Sequence, residues 1–345
     1  MLRDTEKLRI GVVGAGWFAS RRHLPELTSA PDAEVVALCR RDPERLAQMA
    51  AHFQVPHTYR SFEEMLDREP LDGLLIATPH NLHYSQAKAA LERGIPVLLE
   101  KPMALTGAEA TELKELAQKR ELPLVIALNP PYWPYANLVR AVLASERAGK
   151  LEAITLSWQG NGEFVFGRAP LPDSLPGVVP PTLFRADPVA NGGGYFMDGG
   201  HHLISEVLWT SGLRCRRVQA MMDSAPDDMA AAVSLELEGG VLASITTRAD
   251  SAHPERRIHS HYFCSGLTLH VAGVPMTLTE RSHGIVPEVV TQEPEMPPVT
   301  TPVRNFLDSI HGTAQPLSNA DHGLQVTRVV EAVYRSAISG RTVEL

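Results

Sequence analysis

"RIGVVGAGWFASRRHLPEL", Arg9–Leu27, is the stretch on which the fold turns. It opens on an apolar run of strand length and passes through Gly14, Gly16 and Ala19, which spell GxGxxA at the mouth of a helical pattern. Each position has a physical task in a strand–turn–helix unit. Gly14 permits the tight turn, Gly16 lets the backbone approach a pyrophosphate without a Cβ in the way, and Ala19 allows close helix–strand packing. The helix amino terminus then meets the phosphates. Trp17 and Phe18 stand within the same step and are expected beside the dinucleotide. Glycine spacing alone is weak evidence; its place between a strand and a helix is what gives it meaning.

The surrounding third of the chain alternates in the same way. Apolar runs at Leu8–Val13, Glu34–Cys39, Gly73–Ala77, Pro96–Leu99 and Leu124–Leu128 predict strands, with helices over Pro43–Ala51, Tyr84–Arg93 and Gly107–Lys119. Strands apolar on both faces predict a parallel sheet covered by helices. After Asn129 the character changes: "NPPYWP" breaks structure, a helix is expected over Tyr135–Ala148 and a strand over Leu151–Gln159. Consecutive strands with short turns follow at Arg216–Met222, Met229–Leu237, Val241–Arg248, Arg257–Cys264 and Leu267–Val271, and two helical segments close the chain. The fold class is therefore α/β, a doubly wound Rossmann sheet over residues 1–128 and a second α/β domain with a mainly antiparallel sheet over residues 129–345. A chain of 345 residues exceeds what one core usually fills, which agrees with two domains. The proline-rich "RAPLPDSLPGVVPP", Arg168–Pro181, is expected to be a lid or binding arm, or else a plain surface excursion.

At 44% hydrophobic and 21% charged the chain is globular. A formal net charge of −8 argues against nucleic acid and anionic membrane as partners and for a small molecule. Cys39, Cys215 and Cys264 are far apart and odd in number, which fits reduced thiols. With no apolar leader at the amino terminus, a cytoplasmic location is expected.

The end of the second strand bears on the choice of dinucleotide. NAD binders place a carboxylate there for the ribose hydroxyls, whereas arginine accommodates a 2′-phosphate. This chain reads Leu38-Cys39-Arg40-Arg41-Asp42-Pro43, with Arg40 where the carboxylate is expected and Asp42-Pro43 reading as an N-cap and first helical turn. Arg40 and Arg41, with Arg45, predict a cationic pocket and NADP as cofactor, NAD being the alternative; arginines on a solvated loop would read the same way.

Two further segments fall where ligands of open α/β sheets bind. Thr78, Pro79, His80, Asn81 and His83 follow the third predicted strand at its carboxyl end, although His83 equally suits the cap of its own helix. "PVLLEKP" ends the next strand on Glu100 and Lys101, because Pro102 cannot donate to a ladder. Farther on, "NGGGYFMDGGHH" sets Asp198 four residues before His202, one helical face for an acid and the imidazole it orients. His202 would exchange a hydroxyl proton as hydride leaves or joins the same carbon, and Lys101 would hold the oxygen. Taken alone, His202 reads as a packed helix histidine. His259 and His261 share a strand face, which alternation explains, and no metal is expected.

Together the GxGxxA turn, "ATPHNLH", "EKP", "FRADP…GGGYFMDGGHH" and the closing "VVEAVYRSAISGRTVEL" resemble the Gfo/Idh/MocA oxidoreductases, the family of glucose–fructose oxidoreductase and inositol dehydrogenase, over nearly the whole length. The resemblance implies a Rossmann domain followed by a domain with a large open sheet, homodimers or homotetramers, and Lys101, Asp198 and His202 as the catalytic set. It places Arg185 near the substrate and Glu100 and His83 by the cofactor. The expected reaction is NADP(H)-dependent hydride transfer with a secondary alcohol or ketone of a sugar, cyclitol or polyol derivative. Two alternatives use the same fold: a glycosidase or lyase working through transient oxidation, and a dinucleotide-binding sensor without activity. The chain departs from relatives at Pro130-Pro131-Tyr132, where many carry an arginine–aromatic pair, and at Ser205, often a carboxylate. Tyr132, Trp133, Trp158 and Asn161 are candidates to line the substrate pocket, or belong to core or interface.

Overall fold

The structure, a computed structural model, describes residues 7–171, 177–253, 255–282, 284 and 287–345. The middle of the expected proline-rich arm, 172–176, lies outside them. Chain contacts divide the molecule into two compact units. The first takes Met1–Ala127, Phe164–Asn191 and Thr301–Leu324, and the second Leu128–Glu163, Gly192–Thr300 and Gln325–Leu345.

Among the described residues of the first unit six strands form one sheet: β1 (Leu8–Val13), β2 (Ala33–Cys39), β3 (His57–Tyr59), β4 (Gly73–Ile76), β5 (Val97–Leu99) and β6 (Leu124–Ile126). Their order is β3-β2-β1-β4-β5-β6 and every pairing is parallel. Val/Ile/Leu-rich β1, β4, β5 and β6 are almost wholly buried, as strands covered on both faces must be. Strand order reverses between β1 and β4, and the crevice beyond their carboxyl ends is where this topology binds ligands. Helices Pro43–Phe53, His83–Glu92 and Gly107–Arg120 are the expected ones; the last starts with a capping box of Thr106 and Glu109. Helix Pro302–Ile310 belongs to this unit, where Arg304 grips Asp32 with two hydrogen bonds of 2.8 and 2.7 Å.

Among its described residues the second unit holds nine strands, β7 (Leu151–Gln159), β8 (Cys215–Met222), β9 (Ala230–Leu237), β10 (Leu242–Arg248), β11 (Arg257–Cys264), β12 (Leu267–Ala272), β13 (Thr277–Ser282), β14 (Val289–Gln292) and β15 (Val343–Glu344). They run in the order β14-β13-β12-β11-β7-β10-β9-β8-β15, with β7 and β10 parallel and the other pairs antiparallel. Burial alternates strictly along β10 and nearly so along β9 and β11, so one face is core and the other open. On the open side His261 and His270 stack at 4.1 Å, with His259 beside them. Among the described residues no group of three or more His, Cys, Asp or Glu side chains could hold a metal ion.

Several boundaries differ from expectation for local reasons. The helix after "NPPYWP" spans Pro134–Leu143 and stops short of Ala148, with a separate turn at Glu146–Ala148. Helix Phe62–Arg68, capped by Ser61 and only seven residues long, is additional, as are strands β3, β13, β14 and β15, which are short or mixed in polarity and are made by pairing with a neighbour rather than by periodicity. Among the described residues no helix is long and apolar enough to cross a membrane.

Candidate active site

The GxGxxA segment folds as its residue types require. Gly14 sits at φ +74°, and a Cβ on it would come within 2.5 Å of the Ala77 carbonyl and the Thr78 amide at the end of β4. Its own N–H donates to Cys39 O at the end of β2 (3.0 Å). The turn is thus locked into the switch point of the sheet. A helix follows from Trp17, Ser20 N–H donating to Gly16 O, and widens to a π turn over Ala19–His23 with Ala19 fully buried. Trp17 meets Phe164 edge-on at 6.1 Å and Phe18 meets the His23 ring at 5.4 Å.

Arg40 lies against this turn. Its Nη1 donates to Ala15 O (2.7 Å) and stands 3.3 Å from where a Gly16 Cβ would be, while its buried Nε has no hydrogen-bond partner among the described residues. Burial pushes the Arg40 pKa down, and Arg45 adds to that while Asp42 opposes it. Asp42 is the N-cap, accepting from Arg45 N–H (3.1 Å), and its carboxylate also pairs with the Arg45 guanidinium (3.5 Å). Arg41 is exposed. A glycine turn closed to any Cβ and a helix amino terminus together fit the pyrophosphate of a dinucleotide, with the Arg40 guanidinium beside them.

Thr78 and Pro79 follow β4, with Thr78 Oγ1 donating to Gln86 Oε1 (2.7 Å), and Asn81 is exposed. His83 is fully buried. Its Nδ1 lies 2.7 Å from Pro102 O and its Nε2 2.9 Å from Thr78 O, so the ring bridges the segment after β4 to the one after β5. Burial holds its pKa below the usual imidazole value, with the two carbonyls pulling the other way. Glu100 is buried too, accepting from His23 Nε2 at 2.7 Å and from the Lys101 amide at 3.2 Å. His23 carries no sequence signal, because its partner is 77 positions away. Lys101 is 8% exposed just past the end of β5. Arg185 caps the Phe184 ring (4.5 Å), and Phe184 meets His80, whose Nδ1 donates to Asn191 O (2.9 Å). These residues all belong to the first unit.

Tyr132, Asp198 and His202 belong to the second. Asp198 lies in a π turn, Phe196–Gly200, that runs directly into helix His201–Ser211 carrying His202. The helix therefore starts before Asp198 rather than at it. A Cβ on Gly199 would strike the Tyr195 ring and one on Gly200 the Phe196 ring, both within 2.5 Å, so this pair of glycines lets the wide turn close. π turns of this kind concentrate at functional sites. His202 has Trp133 at 6.1 Å, and Trp133 in turn contacts Tyr135 (5.5 Å) and Trp158 (5.6 Å); Tyr132 is buried. Where Ser205 replaces a carboxylate, the next residue, Glu206, is one: fully buried, it accepts from Tyr135, Ser260 and Tyr262 hydroxyls at 3.0, 2.7 and 2.9 Å. Burial raises its pKa and the Ser260 and Tyr262 bonds oppose this.

Three family models tile the chain: "Oxidoreductase family, NAD-binding Rossmann fold" over residues 8–128, "GFO/IDH/MocA C-terminal domain" over 137–273 and "Oxidoreductase family, C-terminal alpha/beta domain" over 243–345. The chain belongs to the Gfo/Idh/MocA family. As a member of that family it is an NAD(P)-dependent oxidoreductase. It is 27% identical over 358 aligned residues to D-apiose dehydrogenase of Paraburkholderia graminis, covering 99% of this chain and 90% of the relative. With D-xylose 1-dehydrogenase (NADP(+)) 2 of Haloferax volcanii it shares 25% identity over 98% of this chain and all of the relative. A crystal structure of an oxidoreductase domain protein from Kribbella flavida superimposes with a TM-score of 0.85 over 99% of both chains at 22% identity, which shows the Gfo/Idh/MocA fold.

Proposed function

We propose that this protein transfers hydride between NADP(H) and a secondary alcohol or ketone of a sugar, cyclitol or polyol derivative. The observation that carries the reading is the second unit's π turn and helix, which bring Asp198 and His202 into one short helical stretch. Relatives named for sugar oxidation support the substrate class. The Arg40 guanidinium at the glycine turn supports NADP, since a half-buried cation there is matched by a 2′-phosphate and not by a free ribose hydroxyl.

Bound NADP supplies the hydride acceptor or donor, at C4 of its nicotinamide. The protein's residues do the rest. His202 takes the hydroxyl proton in oxidation and returns it in reduction, Asp198 orients the imidazole, and the Lys101 ammonium holds the oxygen as negative charge develops on it. Arg185 contacts the substrate, and Tyr132 lines its pocket. Gly14, Gly16, Trp17, Phe18, Ala19, Arg40, Arg41, Thr78, Pro79, Asn81, His83 and Glu100 form the cofactor's bed.

The test is His202→Asn and Lys101→Met with a panel of aldoses, cyclitols and keto-sugars, read as NADPH absorbance. His202→Asn should lower kcat by about 10²–10⁴-fold while NADP binding, followed by tryptophan fluorescence, stays unchanged. Normal turnover in both variants would refute the assignment of roles.

A further inference from the structure

The run Asn191–Tyr195, "NGGGY", precedes the segment that carries Asp198 and His202, and its glycines have a structural explanation that leads away from the reacting groups. Three consecutive backbone N–H groups at the start of that segment are satisfied by two residues distant in sequence. Tyr195 N–H donates to Asp228 O (2.7 Å), Phe196 N–H to Asp228 Oδ2 (2.8 Å) and Met197 N–H to the Tyr334 hydroxyl (2.9 Å). Tyr334 in turn donates to Asp228 Oδ1 at 2.7 Å, so carboxylate and phenol form one cap. Asp228 is fully buried and Tyr334 is 8% exposed.

The glycines make room for this. A Cβ on Gly194 would lie 2.2 Å from Asp228 N and 2.6 Å from its Oδ1, and one on Gly193 would lie 2.8 Å from the Tyr334 ring. The side chain of Tyr195, at the N-cap position, makes no cap hydrogen bond among the described residues. Helix starts normally obtain such caps from the preceding residue; here the acceptors come from the turn before β9 and from the carboxyl-terminal helix Ala320–Ser339.

We propose that Asp228 and Tyr334 are positioning residues for the reaction, holding Asp198 and His202 in their working geometry through the backbone N–H groups of Tyr195, Phe196 and Met197 without touching substrate. This rests on the roles proposed above for Asp198 and His202. A displaced catalytic group loses rate steeply even when the fold persists. The groups facing Asp228 are Tyr334 and Tyr195, both pushed by burial to stay neutral in the working range, and Asp223, whose charge adds to burial in pushing the Asp228 carboxyl up to about 6.

The experiment compares Tyr334→Phe, Asp228→Asn and His202→Asn with the unaltered protein, measuring folding by circular dichroism, NADP affinity by fluorescence titration, and kcat and KM from pH 5 to 8. Tyr334→Phe keeps the ring against Gly193 and removes only the hydroxyl, which accepts from Met197 N–H and donates to Asp228 Oδ1. Folded Tyr334→Phe and Asp228→Asn are expected to lose about 10–100-fold in kcat, with NADP affinity unchanged and KM moved far less than kcat. The kcat gap between the unaltered protein and Asp228→Asn should narrow below about pH 6, where the native carboxyl becomes neutral like the amide. Unchanged kcat in both folded variants would overturn the proposal, as would a loss that is equal at every pH and accompanied by a matching loss of NADP affinity. An active His202→Asn together with slow Tyr334→Phe would instead remove His202 from its role and leave the positioning of the segment standing.

Discussion

Replacing Arg40 tests the cofactor assignment most directly. Its guanidinium donates to Ala15 O at 2.7 Å on the glycine turn, its buried Nε is without a partner among the described residues, and burial already works against its charge. A phosphate beside it would supply the missing acceptor and the compensating charge. Hydrogen bonds to charged groups contribute about 1.5–3 kcal/mol each, and tenfold in an equilibrium constant is about 1.4 kcal/mol. Losing one such bond should therefore lower the preference for NADP over NAD by about 10–150-fold. Arg40→Asp is expected to go further, because the new carboxylate repels the 2′-phosphate and accepts from a ribose hydroxyl. The assay is the ratio of kcat/KM with NADP to that with NAD, alongside dissociation constants for both dinucleotides by fluorescence titration. Arg41→Ala serves as the comparison, its side chain being exposed, and should shift the ratio less. An Arg40→Asp protein that stays folded and keeps the original ratio would refute the argument, leaving Arg40 as a clasp between the end of β2 and the turn.

Gly14→Ala should abolish NADP binding and lower the melting temperature. The left-handed backbone at φ +74° costs about 1–3 kcal/mol for a residue with a side chain, and the methyl would also displace the Ala77–Thr78 peptide; thermal melts with and without NADP check both. Asp32→Asn tests the grip on helix Pro302–Ile310. Arg304 holds the Asp32 carboxyl down at about 2, so its contribution is complete above the ordinary carboxylate range and is lost as pH falls through about 2. Allowing for solvent screening of a partly exposed pair, urea unfolding should show the variant about 1 kcal/mol less stable at pH 7, with the gap closing below pH 4; a constant gap at all pH values would exclude the ion pair as its source.

Much of this was legible in residue types alone, wherever the signal was local. The apolar runs of β1, β4, β5 and β6 and GxGxxA require a buried parallel sheet with a phosphate turn, because only glycine tolerates the approach at position 14 and only apolar side chains tolerate burial on both faces. Asp42 capping its own helix was equally readable, since cap and acceptor are three residues apart. Tertiary structure alone decided what depends on distant partners: His23 against Glu100, His83 between two carbonyls, Glu206 under three hydroxyls, and Asp228 with Tyr334 on the Asp198–His202 segment. It likewise decided the parallel pairing of β7 with β10 and the short edge strands β14 and β15. The physical reason is the same in each case. A side chain's local pattern records the backbone it favours, whereas the acceptor that satisfies a buried polar group is chosen by chain segments that meet only after folding.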